Sequence, residues 1–453
     1  MERLIENYMD FISCNKTERL CAEASVRIAE QNGYRNIEDV ESLKAGDKVY
    51  INKMGKSLIL FNIGTDDISK GMNILGAHID SPRLDAKQSP IYEDRFYKSG
   101  IVYLNTHYYG GIKKYQWLAT PLALYGVVIK TDGTRVNIAI GDDPEDPVFC
   151  ISDILPHIAQ DQMKKPASEI VEGEKLDAIL TVYPNVKDYH DKDKAAYKIG
   201  DNKDKVMKFL DDKYGINEDD LASAELELVP AGKARYLGFG KNLILGYGQD
   251  DRVCAYTSLI ALVEGKAGKR TNCCILSDKE EIGSAGATGM NSHLLDNAVA
   301  EVVARLDVKG NPELVIRRAL ANSDMLSSDV NSAFDPLNAN LYDFYNSSFL
   351  GRGVVFNKYT GSAGKRGASD ANPEFIAKVR NQLYKNDVYF QNAELSKVDV
   401  GGGGTIAHYA AEYGMNVLDC GVSVMSMHAL WEVTSAYDIE QAYRCYKAFL
   451  ELE

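Results

Sequence analysis

The sequence lacks the features of a membrane protein, a secreted protein and a zinc ribbon. No stretch approaches the ~18 consecutive apolar residues of a membrane span. The opening sequence, MERLIENYMDFISCNKTERL, alternates charged and apolar residues instead of forming a signal peptide. None of the 8 cysteines belongs to a C-x-x-C pair, which argues against a disulfide framework. We therefore expect a cytoplasmic protein with no membrane partner.

Basic residues are in the minority. The 453 residues include 51 Lys and Arg against 65 Asp and Glu, so the formal net charge is -14. Such a chain repels the phosphates of nucleic acids, and we expect no nucleic-acid partner. Hydrophobic residues make up 45% of the chain, which is enough for a substantial core. A prior of ~150 residues per domain predicts two or three domains.

Helix and strand patterns alternate in the first and last parts of the chain. Apolar residues at three- and four-residue spacing predict a helix over residues 20–34, with Gly33 as its stop signal. Continuous apolar sequences at 57–64 and 72–80 predict strands, and the second is suited to burial on both faces. After residue 240 the alternation returns, which predicts a second part of the same α/β domain.

The middle of the chain has a different character. Alternating patterns predict strands there, at residues 101–105, 122–130 and 135–141. A Lys/Asp-rich stretch at 189–205 follows, which we expect to be exposed and mobile. The simplest organisation is a discontinuous α/β domain, residues 1–88 and 238–453, interrupted by an inserted β-rich domain, residues 89–237.

Five short segments could supply catalytic or metal-binding side chains. The first is GAHIDSPRLD, in which His78 ends a predicted buried strand and Asp80 follows, where α/β folds place their sites. A carboxylate beside an imidazole can accept its second N–H and strengthen it as a metal ligand. The alternative is a structural histidine beside a turn-forming Asp-Ser-Pro sequence, and this motif alone favours the alternative.

Two further segments contain paired acids. Asp250 and Asp251 lie between a predicted strand and a predicted helix, where capping of the helix is the simpler interpretation. Glu280 and Glu281 follow the apolar sequence TNCCIL, and neighbouring side chains on extended backbone point to opposite sides. One glutamate could therefore bind a metal while the other acts as a general base. Most such pairs simply face solvent.

The last two segments lie in the C-terminal part. Asp329 belongs to a loop rich in Ser and Asn, with Asp324 as a competing candidate. His428 follows an apolar stretch just before a predicted helix, where a histidine is more often a core residue than a ligand. Together, two histidines and three carboxylates near strand ends suit Zn²⁺, with Mn²⁺ or Co²⁺ as alternatives. A carboxylate that bridges two ions ~3.5–4 Å apart is the arrangement of two-metal hydrolases.

These motifs follow one another in a recognisable order. They are H-x-D-S-P-x-L, an adjacent acid pair, D-x-E-E-I-G-S, S-x-D and S-M-H, accompanied by YYGGIKKYQWLATPLALYGVVI at 108–129 and LPH at 155–157. The order resembles the aspartyl aminopeptidase and vacuolar aminopeptidase I family of zinc metallopeptidases, and the likeness extends over nearly the whole chain. The resemblance implies an enzyme that removes amino acids from the N-termini of peptides, which are therefore the expected substrates.

The resemblance also implies roles for individual residues. The implied zinc ligands are His78 and Asp329 for one ion, Glu281 and His428 for the other, and Asp250 as the bridge. Glu280 would be the general base, and Asp80 would orient His78. The implied fold is a phosphorylase/hydrolase-like α/β/α sandwich whose β-rich insertion mediates dimerisation. Family members assemble from dimers into tetrahedral dodecamers, so we expect a large homo-oligomer.

The sequence departs from the family around the substrate pocket. The family pattern C-G-(S/T)-T-I-G-P is replaced by GGGGTIAH at Gly401–His408. A family histidine that completes the neighbouring subunit's site is replaced by Asp161, so whether Asp161 or His408 completes such a site stays open. Three basic residues could receive an acidic side chain, namely Lys358, Lys365 and Arg366. A preference for acidic N-terminal residues is thus one of the specificities left open.

Three rival functions share some of these features. A tetrahedral aminopeptidase of the glutamyl aminopeptidase type shares the ligand order, but D-S-P after His78 and I-G-S after Glu281 favour the aminopeptidase I family. A metal-dependent deacylase or carboxypeptidase could use the same scaffold, and it would hydrolyse N-terminally blocked peptides. A non-catalytic assembly protein is the third, and the presence of every ligand together with Glu280 argues against it.

Overall fold

The computed structural model describes residues 2–94, 96–97, 99–183, 201–266 and 268–453. The chain forms two compact units. We call Met1–Ser81 together with Lys233–Glu453 the discontinuous unit, and Pro82–Gly232 the central unit.

Strands and helices alternate along the described residues. The strands are β1 (Arg35–Asn36), β2 (Lys48–Lys53), β3 (Ser57–Asn62), β4 (Met72–His78), β5 (Arg83–Glu93), β6 (Val102–Tyr109), β7 (Leu122–Ile129), β8 (Arg135–Ile140), β9 (Ala178–Thr181), β10 (Ala224–Pro230), β11 (Arg235–Leu237), β12 (Leu243–Gly246), β13 (Thr271–Ser277), β14 (Asp324–Ser327), β15 (Asn331–Ser332), β16 (Val354–Asn357), β17 (Phe390–Asn392), β18 (Asn416–Gly421), β19 (Ser423–Met425) and β20 (Glu432–Ser435). The α-helices are α1 (Glu2–Cys14), α2 (Glu18–Gln31), α3 (Asp201–Tyr214), α4 (Gln249–Glu264), α5 (Leu294–Arg305), α6 (Pro312–Ala321), α7 (Pro373–Lys385), α8 (Ala407–Ala411) and α9 (Ala436–Leu450).

A nine-stranded sheet forms the centre of the discontinuous unit. Its order is β1-β2-β3-β13-β4-β14-β18-β16-β17. Four neighbouring strands in its middle, β13, β4, β14 and β18, run parallel to one another. Every residue of β4, with the sequence MNILGAH, is buried. Such a continuous apolar strand is typical of a parallel sheet whose two faces are both covered.

Alternate residues of these strands face two different apolar layers. On β13, Cys274 and Leu276 pack in a layer with helices α1, α2, α4, α7 and α9. Cys273 and Ile275 pack in a second layer with α5, α6 and α8. Because successive side chains of a strand point to opposite faces, the two layers lie on opposite sides of the sheet. Helices therefore cover both faces.

The parallel strands place their carboxyl ends along one edge of the sheet. β4 ends at His78, opposite Ser277 of β13, and β14 ends at Ser327, opposite Gly76 of β4. The loops that follow these strands therefore begin at the same edge, where open α/β sheets bind ligands. A separate five-stranded sheet, β11-β12-β20-β19-β15, belongs to the same unit.

The central unit contains an antiparallel sheet. Its order is β8-β7-β10-β5-β6-β9, and all neighbouring pairs are antiparallel. Inside it, Arg83 Nε lies 3.2 Å from Oε2 of the buried Glu227. Glu93 Oε2 accepts the backbone N–H groups of Asn202 and Lys203 at 3.2 and 3.1 Å, which caps the start of α3.

Most local predictions from the sequence are confirmed. The helix expected over 20–34 is α2, which begins after the cap residue Thr17. The two apolar strands are β3 and β4, and the strands expected in the middle of the chain are β6, β7 and β8. Of the Lys/Asp-rich stretch, residues 189–200 lie outside the described residues. Residues 201–205 begin α3, and Asn202 is buried there, contrary to the expectation of a fully exposed stretch.

The structure also bears on membrane association. No helix within the described part of the chain is both long enough and apolar enough to cross a bilayer.

Candidate metal centre

His78 is the last residue of β4 and is buried. Its Nδ1 lies 3.1 Å from the carbonyl oxygen of Asp80 and 3.3 Å from Oδ1 of the same residue. Its Nε2 lies 3.2 Å from Asp250 Oδ1. Asp80 therefore holds one ring nitrogen, and the other nitrogen faces the remaining acids, as a metal-binding imidazole requires.

Asp80 also contacts the acid pair. Its Oδ1 accepts the N–H of Glu280 and its Oδ2 accepts the N–H of Glu281, each at 3.2 Å. One carboxylate thus joins the end of β4 to the loop that follows β13. The structure places Asp80 next to His78, where the sequence predicts it.

Glu280 and Glu281 face the same cluster instead of opposite sides. They begin a 3-10 turn, Glu280–Ile282, so the expectation of extended backbone is wrong. The reason is that β13 ends at Ser277 and the chain turns at Lys279, which has φ of 69°. Glu280 Oε2 lies 3.8 Å from the Nε2 of His78. Glu281 Oε2 lies 3.4 Å from the Nε2 of the second histidine, described below.

Asp250 lies between the two imidazoles. Its Oδ1 is 3.2 Å from His78 Nε2, and its Oδ2 is 3.3 Å from His428 Nε2. Helix α4 has Gly248 as its N-cap residue and no side-chain cap, so capping is not what Asp250 does. Gly248 has φ of 68°, and a Cβ there would lie 2.8 Å from Ser81 Oγ. Glycine avoids this crowding and adopts the positive φ without strain in the turn that precedes Asp250.

His428 lies in the loop between β19 and β20. The sequence predicts a helix directly after it, and this prediction is wrong, because the chain enters β20 at Glu432 and the helix α9 begins only at Ala436. The side chain of His428 is 35% exposed, so it is not a core histidine. Its backbone has φ of 64°, a left-handed conformation that turns the imidazole toward Asp250 and Glu281.

Of the two candidates near β14, the structure brings Asp329 into the cluster. Ligand atoms of Asp329, His78 and Asp251 lie within 4.8 Å of one another. Asp324 begins β14, at the opposite end of the strand, and its Oδ2 pairs with Lys378 Nζ at 3.0 Å. Asp324 is therefore a structural ion-pair residue.

Two residues of the cluster were not singled out as site residues from the sequence. Asp251 is fully buried and accepts the N–H of His78 at 3.4 Å. Glu432 is buried and accepts the N–H groups of Asp250 and His428. The adjacent acid pair was a usable signal for Asp251. Glu432 lies in HALWEV, where the sequence predicts a helix, and nothing in this segment signals a buried acid at the site.

Burial and crowding shift the pKa values of the glutamates. Burial is the main reason that the pKa of Glu280 rises to about 7, with His78 opposing the rise and Asp250 adding to it. Burial likewise raises the pKa of Glu281 well above its usual value. Clustered groups with shifted pKa values are typical of functional sites.

The pKa of Asp250 shows the opposite shift. Burial tends to raise the pKa of Asp250, but the hydrogen bonds and charges of His428 and His78 outweigh it and hold that pKa below its usual value. Burial tends to lower the pKa of His78, but Asp250 and Asp80 outweigh it and raise that pKa. The electrostatics therefore favour a carboxylate between two imidazoles, with its negative charge retained.

A cleft of about 340 Å³ opens onto the cluster. Its wall includes the Gly-rich segment Gly402–Thr405, and Thr405 Oγ1 donates to Asp419 Oδ1 at 2.6 Å. Among the described residues that line it, none is Lys or Arg. Lys358 and Lys365 instead pair with Asp370 at 3.5 and 3.4 Å.

Two further residues considered from the sequence lie on the surface. Asp161 is exposed and pairs with Lys164 at 3.3 Å. His408 Nε2 pairs with Glu412 at 3.6 Å within and just beyond α8. Neither lines the cleft, which leaves their predicted role at a neighbouring subunit as a prediction.

The donor set fits zinc. Three overlapping groups each bring three ligand atoms within 4.8 Å of one another, namely His78 with Asp251 and Asp329, His78 with Glu280 and Glu281, and Asp250 with Glu281 and His428. Glu281 Oε1 and Asp251 Oδ1 are buried and have no hydrogen-bond partner among the residues described. Buried acids of this kind need a cation nearby. Mixed imidazole and carboxylate ligation is what Zn²⁺ takes in catalytic sites.

The comparison with protein families agrees with this chemistry. The family model described as "Aminopeptidase I zinc metalloprotease (M18)" matches residues 11–450. The chain belongs to the M18 family. The resemblance seen in the motif order is thereby confirmed, and this M18 aminopeptidase is a zinc-dependent hydrolase of the exopeptidase type. Family membership also decides against the rival families that share the scaffold.

Individual relatives of this M18 aminopeptidase show the same match. A probable M18 family aminopeptidase 1 of Clostridium acetobutylicum is 53% identical over 449 residues, covering 98% of this chain and 94% of that protein. The crystal structure of the Thermotoga maritima M18 aminopeptidase has a TM-score of 0.92 at 40% identity, covering 100% and 96% of the two chains. The S. cerevisiae mApe1 dodecamer shares the fold, with a TM-score of 0.76 at 20% identity over 98% and 96%.

Proposed function

We propose that this M18 aminopeptidase works with two zinc ions per chain. His78 and Asp329 hold one ion. Glu281 and His428 hold the other, and Asp250 bridges the two. The observation that carries this proposal is the position of Asp250, because its two carboxylate oxygens lie 3.2 and 3.3 Å from the Nε2 atoms of two different histidines. Mn²⁺ or Co²⁺ would suit the same donors.

Glu280 is the general base in this proposal. Bound zinc would supply Lewis-acid polarisation of the scissile carbonyl and a lowered pKa for the attacking water. Glu280 accepts the proton of that water and returns it to the leaving amine. Asp80 is a positioning residue, which holds His78 and the N–H groups of the acid pair.

The charge of the cleft supports selection of chain ends. Five of the residues that line it are acids, namely Asp250, Glu280, Glu281, Asp329 and Asp419. Asp250, Glu281 and Asp329 are taken up by the proposed ions, and Glu280 and Asp419 remain to attract the positive charge of a free α-amine, which a blocked N-terminus lacks. We therefore expect hydrolysis to require a free N-terminus.

Two measurements test the proposed function. Elemental analysis of the metal-reconstituted protein should find two zinc ions per chain, and about one in His428→Ala. Unchanged zinc content in His428→Ala would reject this ligand, and a single ion in the unaltered protein would reject the two-metal site. Free peptides should be cleaved while their N-acetylated forms are not, and cleavage of the blocked forms only would reject the selection of free chain ends.

We propose that neutral N-terminal residues are preferred to acidic ones. The apolar part of the cleft is provided by Val330, Leu395 and Met427, beside the acids. An acidic side chain would meet no Lys or Arg among the described residues that line the cleft, and both Lys358 and Lys365 already pair with Asp370. In a panel of aminoacyl fluorogenic substrates, Leu and Met should be released at least ~10-fold faster than Asp and Glu.

The control for this specificity is Lys365→Met. The substitution should leave the ranking of the panel unchanged. If the unaltered protein releases Asp and Glu faster than Leu and Met, and Lys365→Met loses that advantage, the acidic preference is established instead.

The arrangement of the whole chain completes the proposal. The discontinuous unit is the catalytic domain, a phosphorylase/hydrolase-like sandwich, and the central unit is an inserted oligomerisation domain. The fold shared with the mApe1 dodecamer supports a tetrahedral dodecamer built from dimers. The cysteines are free thiols, which supports work in the reducing cytoplasm.

A further inference from the structure

A buried glutamate outside the proposed ligand set contacts two of the proposed ligands through their backbones. Glu432 is 1% exposed. Its Oε1 accepts the N–H of His428 at 2.8 Å, and its Oε2 accepts the N–H of Asp250 at 3.1 Å. One carboxylate thus joins the start of α4 to the loop between β19 and β20, which are remote in sequence.

The strand that carries Glu432 is itself held in place. Glu432 begins β20 and pairs with Gly246 of β12 in the five-stranded sheet. Gln249 Nε2 donates to the Glu432 carbonyl oxygen at 2.7 Å and to the Ile244 carbonyl oxygen at 3.2 Å. Tyr8 Oη donates to Gln249 Oε1 at 3.1 Å. These hydrogen bonds fix the backbone of Glu432, and so they fix the position from which its carboxylate accepts the two N–H groups.

The contact matters most at His428. A histidine at φ of 64° is in the left-handed region, which non-glycine residues seldom adopt and which persists where surrounding contacts impose it. The hydrogen bond from the His428 N–H to Glu432 is such a contact. The conformation in turn aims the imidazole at Asp250 and Glu281.

A carboxylate is the group that this position needs. Two N–H groups point at it from different directions, and an ionised carboxylate accepts with both oxygens. A glutamine would present one acceptor and one donor, so one of the two N–H groups would face an N–H₂ group. With both of its oxygens engaged by backbone, Glu432 is not in the groups of side chains that could hold a metal.

We propose that Glu432 is the positioning residue that sets the distance between the bridging carboxylate and the second histidine, and so fixes the affinity for the second zinc ion. The inference rests on the proposed two-metal function. The inference goes beyond that function, because Glu432 touches neither metal nor substrate. Glu432 acts only through the backbones of Asp250 and His428.

The test is a metal titration of the metal-free protein with Zn²⁺, and with Co²⁺ followed by its visible absorption. In Glu432→Gln, the ion held by His428 and Glu281 should bind about 10–100-fold more weakly, as for other residues that orient metal ligands. The ion held by His78 and Asp329 should be affected less, because only the bridging Asp250 is shared. The cobalt spectrum of the weakened site should change as its geometry loosens.

The matched control is Asp438→Asn. Asp438 is a buried carboxylate of the same unit whose two oxygens each accept one backbone N–H, from Gly353 and Gly351, both at 2.7 Å. Neither of these two hydrogen bonds of Asp438 involves a proposed zinc ligand. Its substitution should cost stability in the same way but leave both zinc affinities and the cobalt spectrum unchanged.

Each outcome bears on one proposal. Wild-type affinity for both ions in a folded Glu432→Gln protein would overturn the role of Glu432 while leaving the two-metal function intact. A wild-type protein that binds fewer than two ions would overturn the proposed function itself. If Glu432→Gln does not fold, Glu432→Asp takes its place, because it keeps both acceptors but shortens their reach. The same selective weakening is expected, and its absence would overturn the inference.

Discussion

Two pairs of acids, one pair in each unit of the chain, have different surroundings. In the central unit, Glu227 is buried 3.2 Å from the guanidinium of Arg83, and Glu93 is buried against the first N–H groups of α3. In the discontinuous unit, Glu280 and Glu281 are crowded with other acids, and burial raises the pKa of each.

The comparison teaches where to look for function. A buried carboxylate with its own cation or helix start is a structural element, which orders the fold at an acceptable cost. A group of carboxylates packed around only two histidines carries more negative charge than those two imidazoles can neutralise. Such a group is stable with a cation bound, which is why it marks the candidate metal centre.

The largest effect is expected from Glu280→Gln. The amide cannot accept a proton, so kcat should fall about 100–10,000-fold while zinc content is retained. Steady-state kinetics and elemental analysis on the same preparation measure both. Glu23→Gln, at an exposed ion pair of α2, is the control and should be unaffected. Retained turnover in Glu280→Gln would place the general base elsewhere.

A change in the central unit should separate stability from metal binding. Arg83→Met removes the guanidinium that lies 3.2 Å from the buried Glu227, which should lower the free energy of unfolding by about 3–5 kcal/mol. Chemical denaturation measures this, and zinc content should stay as in the unaltered protein. Arg135→Met, at an exposed arginine, should change stability by no more than about 0.5 kcal/mol. Loss of zinc on replacing Arg83 would contradict the division between the two kinds of buried acid.

The smallest effect is expected from Glu93→Gln. The amide oxygen can still accept from the N–H groups of Asn202 and Lys203, but the favourable negative charge at the start of α3 is lost. The expected cost is about 1 kcal/mol of unfolding free energy, with activity and zinc content unchanged. A loss several times larger would show that Glu93 does more than cap the helix.

Much of the fold follows from the sequence because the signals are local. The continuous apolar sequence of β4 predicts a strand buried on both faces, and it places His78 at its carboxyl end. The order of the motifs predicts the family, which the matches confirm. What the sequence could not supply is the pairing of β13 with β4, because sheet order depends on packing between distant segments.

Prediction of the site from the sequence is limited for the same reason. Glu280 and Glu281 were expected on extended backbone, but the strand stops earlier and a turn at Lys279 redirects them. Glu432 gave no signal, because its importance comes from two backbone N–H groups that the fold brings to it. Residue type predicts what a side chain can bind, whereas contacts of this kind arise only from three-dimensional structure.

The scatter of the proposed ligands along the chain has a consequence for protein synthesis. The first of them ends β4, and the last lies just before β20, so a ribosome must deliver most of the polypeptide before the cluster can close. A partly made molecule holds His78 without His428 and has no second imidazole to complete the pair. The proposed site therefore lacks its second imidazole until translation has passed residue 428.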